Sequence, residues 1–140
     1  HWLASELAMP IVISEQYPQG LGPTVPALRA EGAVEKVTFS AWEAEAFSAR
    51  LGAVERRQII LCGMETHICV AQTCRDLIDV GFEVWVVADA CLSRRPLDWE
   101  LGLDRMRNDG ARITTAEAVG FELLGSAKHP QFRGFSKRIR

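Results

Sequence analysis

Short apolar runs alternate along this chain with segments of helical period, and that alternation restricts its fold more than any single motif does. Ile11-Val12-Ile13, residues 58–62 and residues 84–87 are brief and apolar almost throughout, with β-branched residues prominent. Such runs suit a parallel sheet covered on both faces, where a strand has no polar side. Between them, apolar residues recur three or four apart. Ala44, Phe47 and Leu51 form one stripe, Val70, Cys74, Leu77 and Ile78 a second, and Trp99, Leu103 and Met106 a third. Gly52, Gly81 and Gly110 follow these stripes, glycine being the residue that helix ends favour. Strand and helix in turn predict an α/β fold of three layers, α/β/α, with a mostly parallel, Rossmann-like sheet and right-handed crossovers. Arg112-Ile113-Thr114 is expected as a short edge strand, and Val37-Thr38-Phe39 as extended. Ser40 with Glu43, and Thr114 with Glu117, read as capping boxes that open helices. Residues 14–30 hold Pro18, Pro23, Pro26, Gly20 and Gly22 and read as a long, stiff loop.

The 140 residues amount to a single domain over 1–140. A net charge of −2 leaves no electrostatic footprint for nucleic acid. No apolar run approaches the ~20 residues that cross a bilayer, and no secretory leader pattern opens the chain. The four cysteines, at 62, 69, 74 and 91, show neither a CxxC pair nor zinc spacing. Free thiols in a reducing, cytoplasmic setting are therefore expected, with no metal and no cofactor. The basic segment from Lys128 onward reads as a solvated tail or a subunit contact.

Ligands of open α/β sheets bind beyond the carboxyl ends of the strands. The turn from Cys62 to Val70 leaves one strand and enters a helix, which makes it the most informative segment. Cys74 falls on the inward stripe. Cys69 lies one position off that stripe, about 100° around the helix. It also sits in the first turn, where free amides and the helix dipole favour negative charge. A thiol so placed can ionise below its free value of about 8.5. On residues alone, Cys69 is either a reactive nucleophile or a semi-buried thiol. Cys62 and Cys91 read as structural. His67 is close to Cys69 in sequence but reads as a hydrogen-bonding turn residue, and Lys36 alone as a solvated lysine.

Four colinear stretches resemble the isochorismatase-like cysteine hydrolases. They are Glu15-Gln16-Tyr17-Pro18-Gln19-Gly20-Leu21-Gly22-Pro23-Thr24-Val25-Pro26, Lys36 with Ser40-Ala41-Trp42, Gly63 through Val70, and Val86-Val87-Ala88-Asp89-Ala90 with Ser93-Arg94. The first resembles, more narrowly, the subgroup of isochorismatase domain-containing protein 2. The resemblance implies a Cys69 nucleophile and a Lys36 catalytic lysine. It implies a cis peptide at Met64-Glu65 that turns the Glu65 amide toward an oxyanion, and a pocket shaped by Gln16, Tyr17, Trp42 and Thr66. The implied reaction is hydrolysis of a small amide-like substrate through an acyl-thioester. Family members that act on nicotinamide carry a metal-binding Asp/His cluster, which this sequence does not show. The family's catalytic Asp ends a strand that would precede residue 1, so the domain is expected to lack its N-terminal strand and the start of its first helix. A homo-oligomer with a small-molecule substrate, and no nucleic-acid or membrane partner, is expected. The alternative is a catalytically silent member serving as a binding or scaffold protein.

Overall fold

The computed structural model describes residues 1–28 and 32–139. Helix α1 (Trp2–Glu6) precedes strand β1 (Ser14–Gln16), the short helix α2 (Pro18–Leu21), strand β2 (Val34–Lys36) and helix α3 (Glu45–Gly52). Strand β3 (Gln58–Met64) enters a π-helical turn (Thr66–Val70) that continues as α4 (Ala71–Asp79). Strand β4 (Glu83–Leu92), α5 (Pro96–Asn108), β5 (Arg112–Thr114), α6 (Ala116–Leu124) and α7 (Phe132–Arg138) complete the chain. Every strand pairing among the described residues is parallel, in keeping with the α/β reading. The strands form two pieces of sheet, β1-β2 and β3-β4-β5.

Burial follows the stripes. Val70, Cys74 and Leu77 of the turn and α4 pack with Phe47 and Leu51 of α3, and with Leu103 and Met106 of α5. β4, central in its piece, buries Val84, Val86 and Val87. β3 is as apolar but leaves Ile60 and Met64 exposed. Among the described residues it pairs only with β4, while Ile59 and Leu61 pack on the core.

Several local expectations are corrected. Ile11-Val12-Ile13 lies ahead of β1, which starts at Ser14, although Val12 still packs on the core. Residues 14–28 are not all loop: they hold β1 and α2, while 29 and 30 lie outside the described residues. Val37-Thr38-Phe39 is not extended: the strand lies just before it, at Val34–Lys36, and residues 37–39 bend away from its end. Ser40 caps no helix. It is buried, and the next amide, Ala41 N, donates to Thr73 Oγ1 at 2.8 Å, so a tertiary bond displaces the local cap and α3 begins at Glu45. The second cap is Thr115, whose hydroxyl accepts from Ala118 N at 3.2 Å, because Thr114 is engaged in β5. Asp89, within β4, also accepts from Ala116 N at 2.8 Å and fixes the same helix start.

The basic tail folds back. Phe135 of α7 is buried with Leu3 and Leu124, and Phe121 meets the Phe135 and Phe132 rings at 5.3 and 6.0 Å. Arg138 lies 4.1 Å over the Trp2 ring, a cation–π contact that ties α7 to α1. Among the described residues no helix is long and apolar enough to cross a membrane.

Candidate active site

Three side chains, from β1, from β2 and from the turn after β3, meet at one point. β1 and β2 run in register so that Gln16 lies beside Lys36 at their carboxyl ends. β3 delivers the chain through a cis Met64-Glu65 peptide, at the position the resemblance implied, into the turn that presents Cys69. Gln16 Oε1 accepts from Lys36 Nζ at 2.5 Å and from Cys69 Sγ at 3.8 Å. Gln16 Nε2 donates to Val37 O at 2.9 Å, which fixes the amide plane.

Lys36 is not the solvated lysine that its sequence neighbourhood suggests. It is 6% exposed, and its ammonium donates to Gln16 and to the carbonyls of Thr38 (3.0 Å) and Phe39 (2.8 Å). These three acceptors satisfy a buried cation. Burial lowers the Lys36 pKa below its usual 10.5, while the charge and hydrogen bond of neighbouring Cys69 pull it back up. The unfolded chain therefore holds this proton at pH values where the folded chain has begun to release it. In that window below 10.5 the unfolded state binds more protons, so stability from this residue rises with pH. Urea denaturation at about pH 8 and about pH 10 is expected to show the wild type gaining relative to Lys36→Met; equal changes in both would refute the assignment.

The remaining cysteines differ from Cys69, which is half-buried on the turn. Burial pushes the Cys74 thiol up to about 12 and the Cys91 thiol up to about 11. Cys62 lies exposed on β3.

Of the expected pocket residues, the structure brings Gln16 to the thiol and places Tyr17 next to it. The Tyr17 ring covers Gly20, where an added Cβ would stand 2.3 Å from a ring carbon. Glu15 accepts from Thr24 N at 2.7 Å and pins the following loop. A cleft of about 400 Å³ beside Lys36 is lined by Tyr17, Gln19, Val34, Glu35, Thr38 and Ala44. Trp42 is packed on the core instead, edge-on to Phe82 at 5.8 Å. Thr66 is wholly buried, and its hydroxyl has no hydrogen-bond partner among the described residues. The His67 ring is engaged with Ser93, Nδ1 to Oγ 3.0 Å, as a turn residue would be. Glu65 accepts from Arg94 N at 3.0 Å. Ser93 and Arg94 belong to a stretch that the sequence singled out, whereas Asp98, 3.9 Å from His67, carries only the common signal of an acid in a first helical turn. No group of three His, Cys, Asp or Glu side chains among the described residues is placed to hold a metal ion.

The chain is similar in sequence and fold to known proteins. The family model of the isochorismatase domain matches residues 3–118. Isochorismatase domain-containing protein 2 of Xenopus laevis is 46% identical over 138 residues, covering 97% of this chain and 67% of that protein. The structure of MAR1 ribonuclease from Caenorhabditis elegans superposes with a TM-score of 0.87 at 38% identity, over 96% of this chain and 71% of its own. The ycaC gene product of Escherichia coli, described as an octameric hydrolase of unknown specificity, gives a TM-score of 0.85 at 28% identity, over 98% and 76%. The fold is that of the isochorismatase-like hydrolases, and the chain belongs to the isochorismatase domain family.

Proposed function

We propose that this protein is a hydrolase that opens a small amide-like substrate through an acyl-thioester on Cys69, without metal or cofactor. The observation that carries the reading is the Gln16 oxygen touched by both the Cys69 thiol and the buried Lys36 ammonium. A thiol and a lysine sharing one acceptor are close enough to exchange a proton, and burial makes the neutral amine of Lys36 more accessible. Neutral Lys36 takes the thiol proton, and the sulfur attacks the substrate carbonyl carbon. The oxygen then carries the charge, which the amides of Glu65 and Cys69 stabilise. The C–N bond breaks, and the amine leaves with the proton from Lys36. Water adds to the thioester as Lys36 accepts its proton, and cleavage of the C–S bond returns the thiol and frees the acid. Gln16 and Tyr17 shape the entry to the site, while Trp42 and Thr66 hold its frame from within. The octameric state described for the Escherichia coli relative supports a homo-oligomer here as well.

The ribonuclease name of the nematode relative makes phosphodiester cleavage the competing reading. A net charge of −2 gives it little electrostatic support. The test is alkylation of the native protein by iodoacetamide at about pH 7, read by peptide mass spectrometry. Cys69 is expected to react about tenfold or more ahead of Cys62, Cys74 and Cys91. Equal rates would mean that the thiol is not armed, and a silent binding protein would become the better reading.

A further inference from the structure

The turn that carries Cys69 is gripped from outside by the next strand–helix unit. Both ring nitrogens of His67 face that unit: Nδ1 lies 3.0 Å from Ser93 Oγ, just after β4, and Nε2 lies 3.9 Å from Asp98 Oδ2 in the first turn of α5. Glu65 faces His67 Nδ1 at 4.0 Å and pairs with Arg94 Nε at 3.4 Å, in addition to accepting from Arg94 N. Gly102 lets α5 come against the turn, since a Cβ there would stand 3.0 Å from the His67 backbone nitrogen and Cα. The imidazole is 26% exposed, so the grip is neither core packing nor a solvated contact.

We propose that His67 is a positioning residue for Cys69: bonded to Ser93 and facing Asp98, it holds the Thr66–Val70 turn at the angle that presents the thiol to Gln16 and Lys36. The inference rests on the reading of Cys69 as nucleophile. His67 acts through the backbone it shares with Cys69, because its own ring nitrogens face the neighbouring unit. The polarity of the side chain is essential to this role. A leucine fills similar space but cannot bond Ser93, whereas an asparagine carries an amide group where Nδ1 stands.

The experiment is the second-order rate of iodoacetamide alkylation at Cys69 in the wild type, His67→Leu, His67→Asn and Ser93→Ala, with circular dichroism melting of each. His67→Leu and Ser93→Ala are expected to slow Cys69 about tenfold, and His67→Asn to stay within about twofold of the wild type, the scale of effect that small misplacements produce. His67→Leu at the wild-type rate overturns the proposal, and so does equal slowing by Leu and Asn, which marks a packing role. Should His67→Leu not fold, Ser93→Ala decides alone, and the wild-type rate there overturns the proposal. A wild-type Cys69 no faster than Cys62 removes the nucleophile reading and this inference with it. A fast wild type with unaffected variants removes this inference only.

Discussion

Replacing Cys69 with alanine is expected to lower hydrolysis of a small amide by about 10⁴-fold or more, because a covalent route has no substitute once its nucleophile is gone. No other thiol can take over. Cys74 and Cys91 are buried, and burial holds their protons on up to about 12 and 11. Cys62 is exposed but stands within β3, ahead of the turn. Stability should change by only about 0.5 kcal/mol, since the site is half-buried and the thiol's hydrogen bond to Gln16 is long. The measurement is ammonia release across a panel of small amides, with intact-mass detection of the acyl adduct. A Cys69→Ala protein that keeps its turnover would end the proposal, and loss of RNA cleavage without any amide turnover would move it to the ribonuclease reading.

The second large effect concerns the fold away from the site. Gly120 on α6 faces the Phe135 ring, and an added Cβ would stand 1.9 Å from one ring carbon and within 2.6 Å of two more. Two effects of Gly120→Ala oppose each other. Helix propensity favours alanine by about 1 kcal/mol. Displacing the ring from its contacts with Leu3 and Leu124 costs about 3–5 kcal/mol, by analogy with deletion of a buried phenylalanine. The ring wins, and the expected net loss is roughly 2–4 kcal/mol by urea denaturation, a large share of a typical domain's 5–15 kcal/mol. Folded Gly120→Ala should keep the Cys69 alkylation rate. A variant about 1 kcal/mol more stable than the wild type would show that Phe135 relocates freely and that propensity decides.

The parts of the fold legible in sequence were those set by local period. The stripe through Cys74 and Leu77, the strand at Arg112–Thr114 and the helix carrying Leu103 and Met106 all form where the spacing placed them. What failed depended on partners distant in the chain. The Ser40 cap yielded to Thr73, more than 30 residues away, and the folding back of the tail rests on Gly120, Leu3 and Trp2. The candidate site divides in the same way. A thiol at a strand-to-helix turn is readable from its position. The burial of Lys36 is not, because one of its three acceptors is contributed by β1, 20 positions away. Only the family resemblance connected Lys36 with Cys69 in advance.

The candidate site draws its three side chains from three different strands or their ends. Cys69 follows β3, Lys36 ends β2, and Gln16 reaches from β1 toward both. The thiol, the lysine and the amide that joins them thus come from segments separated by 20 and 53 positions in the chain. Under the proposed reading, a disturbance of any one of these segments separates the thiol from the lysine, so the chemistry depends on long-range packing and on no single local element.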